Sequence, residues 1–143
     1  MKKVLECSTK GDKRFSAFYA KVKVFGFEDS IEGHYQSCKR NKDGYVAGKS
    51  KKVELMVIPT NTGKSFTLEP RFLTAYYKLL WCAYLDSRPD LVEIASAYDD
   101  FNDMFRGKAI NCQADVIKQY VKQGRKSILN EPDVKEFRKI VGI

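Results

Sequence analysis

Residues 70–85 read PRFLTAYYKLLWCAYL and carry the strongest helical signal in the chain. Pro70 suits the first helical turn, where its missing N–H is no loss. Phe72, Ala75, Tyr76, Leu79, Leu80, Ala83 and Tyr84 then recur at spacings of three and four and mark an apolar face. A helix this apolar is a core element. The run still falls short of the roughly 20 apolar residues that a membrane span requires.

The flanking segments supply something for that helix to pack against. Residues 15–25, FSAFYAKVKVF, are rich in aromatic and β-branched types and alternate from Ala20 onward, which predicts a strand ended by Gly26. Asp29 is placed as an N-cap, with Glu32 three residues on in capping-box spacing, for a helix running to about Arg40. Asn41 to Gly44 reads as a turn. VELMVIP, residues 53–59, is a second strand, closed by Pro59 and the turn signals Asn61 to Gly63. Pro89 begins a helical stretch, PDLVEIASAYDDF. Asn111 to Gln123 is a helix capped by Asn111 and stopped by Gly124, and a last helix follows Pro132. The expected fold class is α+β: one mostly helical domain over residues 1–143 with a small sheet.

Composition agrees with a single folded unit. At 143 residues, 43% hydrophobic and 13% aromatic, the chain has material for one core and is not a disordered sequence. The N-terminal MKKVLECSTKGDKR lacks the apolar region of a secretory signal, so a soluble cytoplasmic protein with no membrane partner is expected. Cys7, Cys38, Cys82 and Cys112 are far apart in sequence and form no CxxC pair. They are therefore read as reduced thiols and not as zinc ligands. With His34 the sole histidine, neither a histidine-rich metal centre nor a Ser-His-Asp triad is expected, and no metal or cofactor is assigned.

The net charge of +8 is unevenly spread. Residues 39–52 carry Lys39, Arg40, Lys42, Lys49, Lys51 and Lys52 against Asp43 alone. Residues 86–103 carry Asp86, Asp90, Glu93, Asp99, Asp100 and Asp103 against Arg88 alone. A basic segment suits phosphate or nucleic acid, though it also suits a solvated face. Two other patterns are rejected. NTGKS, residues 61–65, imitates the end of a phosphate-binding loop, but the glycine required four residues before its Gly-Lys pair is Ile58. The aspartates at 99–103 lack the spaced oxygens and closing Glu of a calcium loop.

The chemistry concentrates in DSIEGHYQSCKR, residues 29–40. On a continuous helix Glu32, Gln36 and Lys39 would form one stripe, with Ile31, Tyr35 and Cys38 beside it. Glu32 and Lys39 would stand roughly 10 Å apart along the axis, too far for a direct ion pair. An acid at one end and a cation at the other suit a phosphorylated sugar held by Lys39 while Glu32 reaches a reacting carbon or a water. A solvated helix with an ordinary capping glutamate is the plainer alternative.

Ser30-Ile31-Glu32-Gly33-His34-Tyr35-Gln36-Ser37-Cys38-Lys39 resembles the S-V-E-x-x-Y-Q-x-x-K signature of the NADAR (YbiA-like) family. Phe15-Ser16-Ala17-Phe18-Tyr19 is similar to that family's F-x-S-N-F-Y strand, with Ala17 in place of Asn. Leu91-Val92-Glu93 followed by Asp103-Met104-Phe105-Arg106-Gly107 is similar to its L-x-E…D-x-x-W-G segment, with Phe105 in place of Trp. Asn111 matches the Asn before the family's next helix. The resemblance covers about residues 14 to 120 and describes a divergent member, of a kind expected in phage as well as bacterial genomes.

The resemblance implies a pocket for a ribosyl phosphate or ADP-ribose joined to nitrogen. It implies N-glycosidase activity on riboflavin-pathway intermediates, or removal of ADP-ribose from guanine in nucleotides or nucleic acid, which for a phage protein would be an anti-defence activity. Breaking an N-glycosidic bond builds positive charge on the sugar, so a nearby carboxylate stabilises the transition state or activates water. Glu32 is assigned that role, with Asp103 as second acid. Lys39 and Arg106 are expected to hold phosphates, Gln36 and Asn111 to orient the sugar, and Tyr19, Tyr35 or Phe105 to stack on the base. Two rival readings are a non-catalytic protein that sequesters an ADP-ribose-type or cyclic nucleotide signal, and a nucleic-acid-binding accessory protein using Lys39 to Lys52.

Overall fold

The computed structural model describes residues 2–47, 52–103 and 111–143. Its strands are β1 Val4–Glu6, β2 Lys21–Val24, β3 Phe27–Ser30, β4 Lys39–Arg40, β5 Leu55–Pro59, β6 Ser65–Leu68 and β7 Asp100–Asn102. Its helices are α1 Ile31–Ser37, α2 Leu73–Asp86, α3 Pro89–Ser96, α4 Gln113–Lys118, α5 Arg125–Leu129 and α6 Pro132–Val141. The class is mixed α/β, with more helix than strand and three small sheets. β2 pairs antiparallel with β3, β5 lies between β4 and β6, and β1 pairs parallel with β7.

α2 is the spine. The 3-10 turn Pro70–Phe72 leads into it, and Ala75, Tyr76, Tyr77, Leu80, Trp81, Cys82, Tyr84 and Leu85 are all buried. The expected single face was too narrow. Leu79 and Ala83 are only partly buried, whereas Tyr77, Trp81 and Cys82 go fully inside, because other elements cover α2 on several sides. α1, β2, α6 and α4 all pack on it. Trp81, at 0% exposure, sits in the centre of one continuous core.

Several boundaries differ from expectation for identifiable reasons. In residues 15–25 only Lys21–Val24 is strand. Lys13–Phe15 is a 3-10 turn capped by Asp12, and the Tyr19 and Ala20 amides donate to the Ser16 carbonyl in a further turn. The apolar types there insert Phe15 and Ala17 into the core from a bend. β5 begins at Leu55, with Met56 and Ile58 inside, and returns as β6, a strand the sequence reading missed. The helix at Pro89 stops at Ser96. Asp100–Asn102 instead forms β7 beside β1, another missed strand, because the N-terminal segment supplies a backbone ladder that no local pattern reveals. The fourth helix begins at Gln113 with Cys112, not Asn111, at its N-cap, and passes into a π-helical turn, Gln119–Gln123, before Gly124. The last helix follows Pro132 as expected and ends on left-handed Gly142.

The β2–β3 hairpin turns on Phe25 and Gly26, with φ of 52° and 89°. Two positive φ values in a two-residue loop are the twist-matched hairpin geometry, which normally selects Asn, Asp or Gly. Gly26 is obligatory, since a Cβ there would lie 2.2 Å from the Asn61 side chain. Phe25 is the sole non-glycine residue at positive φ among the described residues.

Among the described residues no helix is long and apolar enough to cross a membrane. All four cysteines are buried free thiols. The acidic stretch resolves into separate local pairs. Asp86 accepts from Arg125 and Tyr120, Asp90 from Arg88, Asp99 from the Lys3 amide and Asp100 from Lys118. In the basic stretch, Lys49 and Lys51 lie outside the described residues.

Candidate active site around helix α1

α1 forms because β3 delivers a serine at its end. Ser30, not Asp29, is the N-cap, and its Oγ accepts from the Gly33 amide at 2.9 Å. Asp29 instead accepts from the Ser30 amide at 2.7 Å. Glu32 is thereby moved to the second helical position, and the expected capping box does not form. Its carboxylate is released from capping and faces Gln36, whose Nε2 donates to Glu32 Oε1 at 2.8 Å. That bond orients the amide, and Gln36 Oε1 is left buried without a hydrogen-bond partner among the described residues.

The helix ends at Ser37, before Lys39. Lys39 and Arg40 form β4, paired with Met56 and Leu55. The continuous stripe through Lys39 is therefore corrected, because the backbone turns to join the β5–β6 sheet. The lysine nevertheless returns to the neighbourhood, with its Nζ 4.2 Å from the Tyr35 ring centroid. Tyr35 is buried edge-on against Tyr77, with ring centroids 4.9 Å apart.

Asn111 joins this group from 76 positions along the chain. Its Nδ2 donates to Tyr35 Oη at 2.6 Å. Burial raises the Tyr35 hydroxyl above the usual tyrosine range, and the Asn111 bond opposes that rise. Asn111 is not a helix cap, so its side chain is free for this contact.

Asp103 follows β7 and is 4% exposed, within 3.7 Å of Cys112 Sγ. The parallel β1–β7 ladder, extended by the Cys7 amide donating to the Asn102 carbonyl at 2.7 Å, carries it inward. Tyr77 packs edge-on against Tyr35. Burial pushes its hydroxyl well above the ordinary range, and the charges of Glu32 and Asp103 push it in the same direction. Burial likewise holds Cys38 at about 12 and Cys112 at about 11, which keeps both as thiols at neutral pH.

The structure joins Glu32 to Gln36, and Tyr35 to both Lys39 and Asn111, while Asp103 lies beside Cys112, the chain neighbour of Asn111. Tyr19 makes no hydrogen bond or ring contact with these side chains among the described residues, although Ala17 and Ala20 on either side of it accept the Glu32 and Ile31 amides. The Tyr19 ring is 50% exposed and lies under the Lys13 ammonium at 4.9 Å. Phe105 and Arg106 lie outside the described residues. His34 is structural, its Nε2 2.8 Å from the Val22 carbonyl, which fastens α1 to β2.

One residue at the site was missed in the sequence. Gln113, 3% exposed, accepts the Ala17 amide at 2.7 Å on Oε1, and the Ala17 carbonyl accepts the Glu32 amide at 2.9 Å. That relay sets α4 against the start of α1. Its only trace in the sequence is a glutamine among Cys112, Ala114, Val116 and Ile117, the buried face of α4. Among the described residues no group of three or more His, Cys, Asp or Glu is placed to hold a metal ion.

Comparison with protein-family models, with curated proteins and with solved structures gives no match for this chain.

Proposed function

We propose that the protein hydrolyses an N-glycosidic bond between a ribosyl phosphate or ADP-ribose and a base nitrogen, with ADP-ribosylated guanine as one such substrate. The reading rests on the resemblance of residues 30–39 to the NADAR signature. The observation that carries it is the Glu32–Gln36 pair. A carboxylate freed from capping duty is held by an amide whose own oxygen remains an open, buried acceptor. A sugar hydroxyl would satisfy that oxygen, at a cost otherwise of about 1–3 kcal/mol for a buried unpaired group.

In this reading Glu32 takes a proton from water, whose oxygen bonds to the anomeric carbon as the carbon–nitrogen bond breaks. The base nitrogen receives a proton, with Asp103 as the second acid. Lys39 supplies positive charge for a phosphate, and Tyr35 with Asn111 forms a wall at the sugar or base. Arg106 and Phe105 keep the roles that the resemblance gives them. No cofactor is invoked.

A non-catalytic nucleotide-binding protein is the second reading. Ala17 favours it, because the residue standing where the family carries Asn is buried to 1% and offers a ligand no polar side chain. Incubation with ADP-ribosylated guanosine in DNA or RNA, and with amino-pyrimidine ribosyl phosphates, separates the two. Release of free base by the wild type, lost in Glu32→Gln, is expected. Tight binding with the ligand recovered intact identifies the second reading. Cleavage by Glu32→Gln at the wild-type rate overturns the assignment of Glu32.

A further inference from the structure

A second concavity lies away from the α1 site. Between hairpin β2–β3 and helices α2, α5 and α6 is a hollow of about 340 Å3, within the size range of small-molecule sites. Its walls include Val24, Phe25, Leu79, Leu80 and Phe137. A neighbouring hollow of about 280 Å3, toward α1 and β5, shares Val24, Phe25 and Tyr76 with it. Glu32, Gln36, Asp103 and Asn111 line neither.

Three features mark the first hollow as more than a packing defect. Lys23, Arg125 and Arg138 border it. Arg125 Nε is held by Asp86 at 2.8 Å and Arg138 Nε by the Ile143 carbonyl at 3.1 Å. The Nη groups of both arginines, and the Lys23 ammonium, have no hydrogen-bond partner among the described residues. Tyr76, on the boundary of the two hollows, is 4% exposed and stacked on Phe137, yet its hydroxyl has no protein partner among the described residues. That hydroxyl is not shielded from solvent and can donate to or accept from a bound molecule. Phe25, which lines both hollows, is held at a φ that bulky residues avoid, and such strain clusters at ligand-binding positions.

We propose that this hollow is a binding site for a small amphipathic carboxylic acid, with its apolar body against Phe25, Leu79 and Phe137 and its carboxylate on Arg125 and Arg138. The apolar wall selects the body, and the open guanidinium edges select a planar anion. The site is independent of the glycosidic reading, and its test needs no activity.

Decanoate, decanol and decyltrimethylammonium are the probes, with binding followed by calorimetry below their micellar concentrations. Decanoate is expected to bind at least about tenfold more tightly than decanol, and the cationic probe not at all. The double variant Arg125→Gln/Arg138→Gln is expected to bring decanoate down to the level of decanol. Ala83→Phe, which fills the hollow, should abolish binding of both. If that variant does not fold, amide chemical shifts of the wild type replace it, with changes expected at Val24, Phe25, Leu79 and Ala83. Equal affinity for acid and alcohol, no binding of decanoate, or shifts confined to other surfaces would overturn the proposal.

Discussion

Helices α1 and α2 pack against each other, yet they are held by different physics. α2 has 14 residues, eight of them buried, and it persists because water is excluded from nearly every side of it. α1 has seven residues, too few to be stable alone, and is secured by individual hydrogen bonds. Ser30 caps it, His34 ties it to β2, and Ala17 and Gln113 anchor its first turn. The apolar helix tolerates small shifts because burial has no direction. The polar helix does not, and that is where an acid and its orienting amide are aimed.

Alkaline unfolding addresses the shared core of both helices and carries the largest expected effect. Burial raises Cys38 and Cys82 to about 12 and Cys112 to about 11 from an ordinary value of 9.0. The folded state then binds more protons than the unfolded state above pH 9. The stability contributed by the neutral thiols is complete below that pH and is lost as pH rises toward 11–12. A melting temperature flat from pH 7 to 8.5 and falling steeply above 9 is expected. A melting temperature unchanged at pH 11 would contradict the buried thiols.

Trp81→Ala tests the apolar helix. It should cost about 3–5 kcal/mol in urea unfolding. Glu32→Gln tests the polar helix, where the substituted amide still accepts from Gln36. The proposed hydrolysis should fall at least about a hundredfold while the urea midpoint stays within error. A fall in both together would mean that Glu32 is a structural residue. Gln113→Leu leaves the Ala17 amide buried and unpaired, for an expected loss of about 1–3 kcal/mol. Ser30→Ala should be the mildest, at about 1 kcal/mol by thermal melting. If it matched Trp81→Ala, the distinction between the two helices would collapse.

The same contrast separates what local sequence reveals from what it hides. The existence of α2 and α6, the β2 and β5 strands and the turn at Asn61 follow from periodicity and from Pro and Gly. β1 and β7 escaped because each is three residues long and exists through its partner nearly a hundred positions away. At the site, Glu32, Tyr35, Gln36 and Lys39 were visible as one polar cluster, and Asn111 and Asp103 as separate candidates. Tyr19, which the resemblance offers as a stacking residue, lies where the chain bends, with its ring half exposed.

The amino-acid order by itself determined an apolar helix at the centre, a capped polar segment before it, and the clustering of Glu32, Gln36 and Lys39 within that segment. Those are properties of neighbours in the chain, set by side-chain periodicity and capping chemistry. Only the tertiary structure decided that Ser30 and not Asp29 caps α1, that Lys39 leaves the helix yet still meets Tyr35, and that Asn111 donates to the Tyr35 hydroxyl. Each of those outcomes depends on a backbone ladder or a buried contact between distant segments. Such contacts form only when the whole core excludes water.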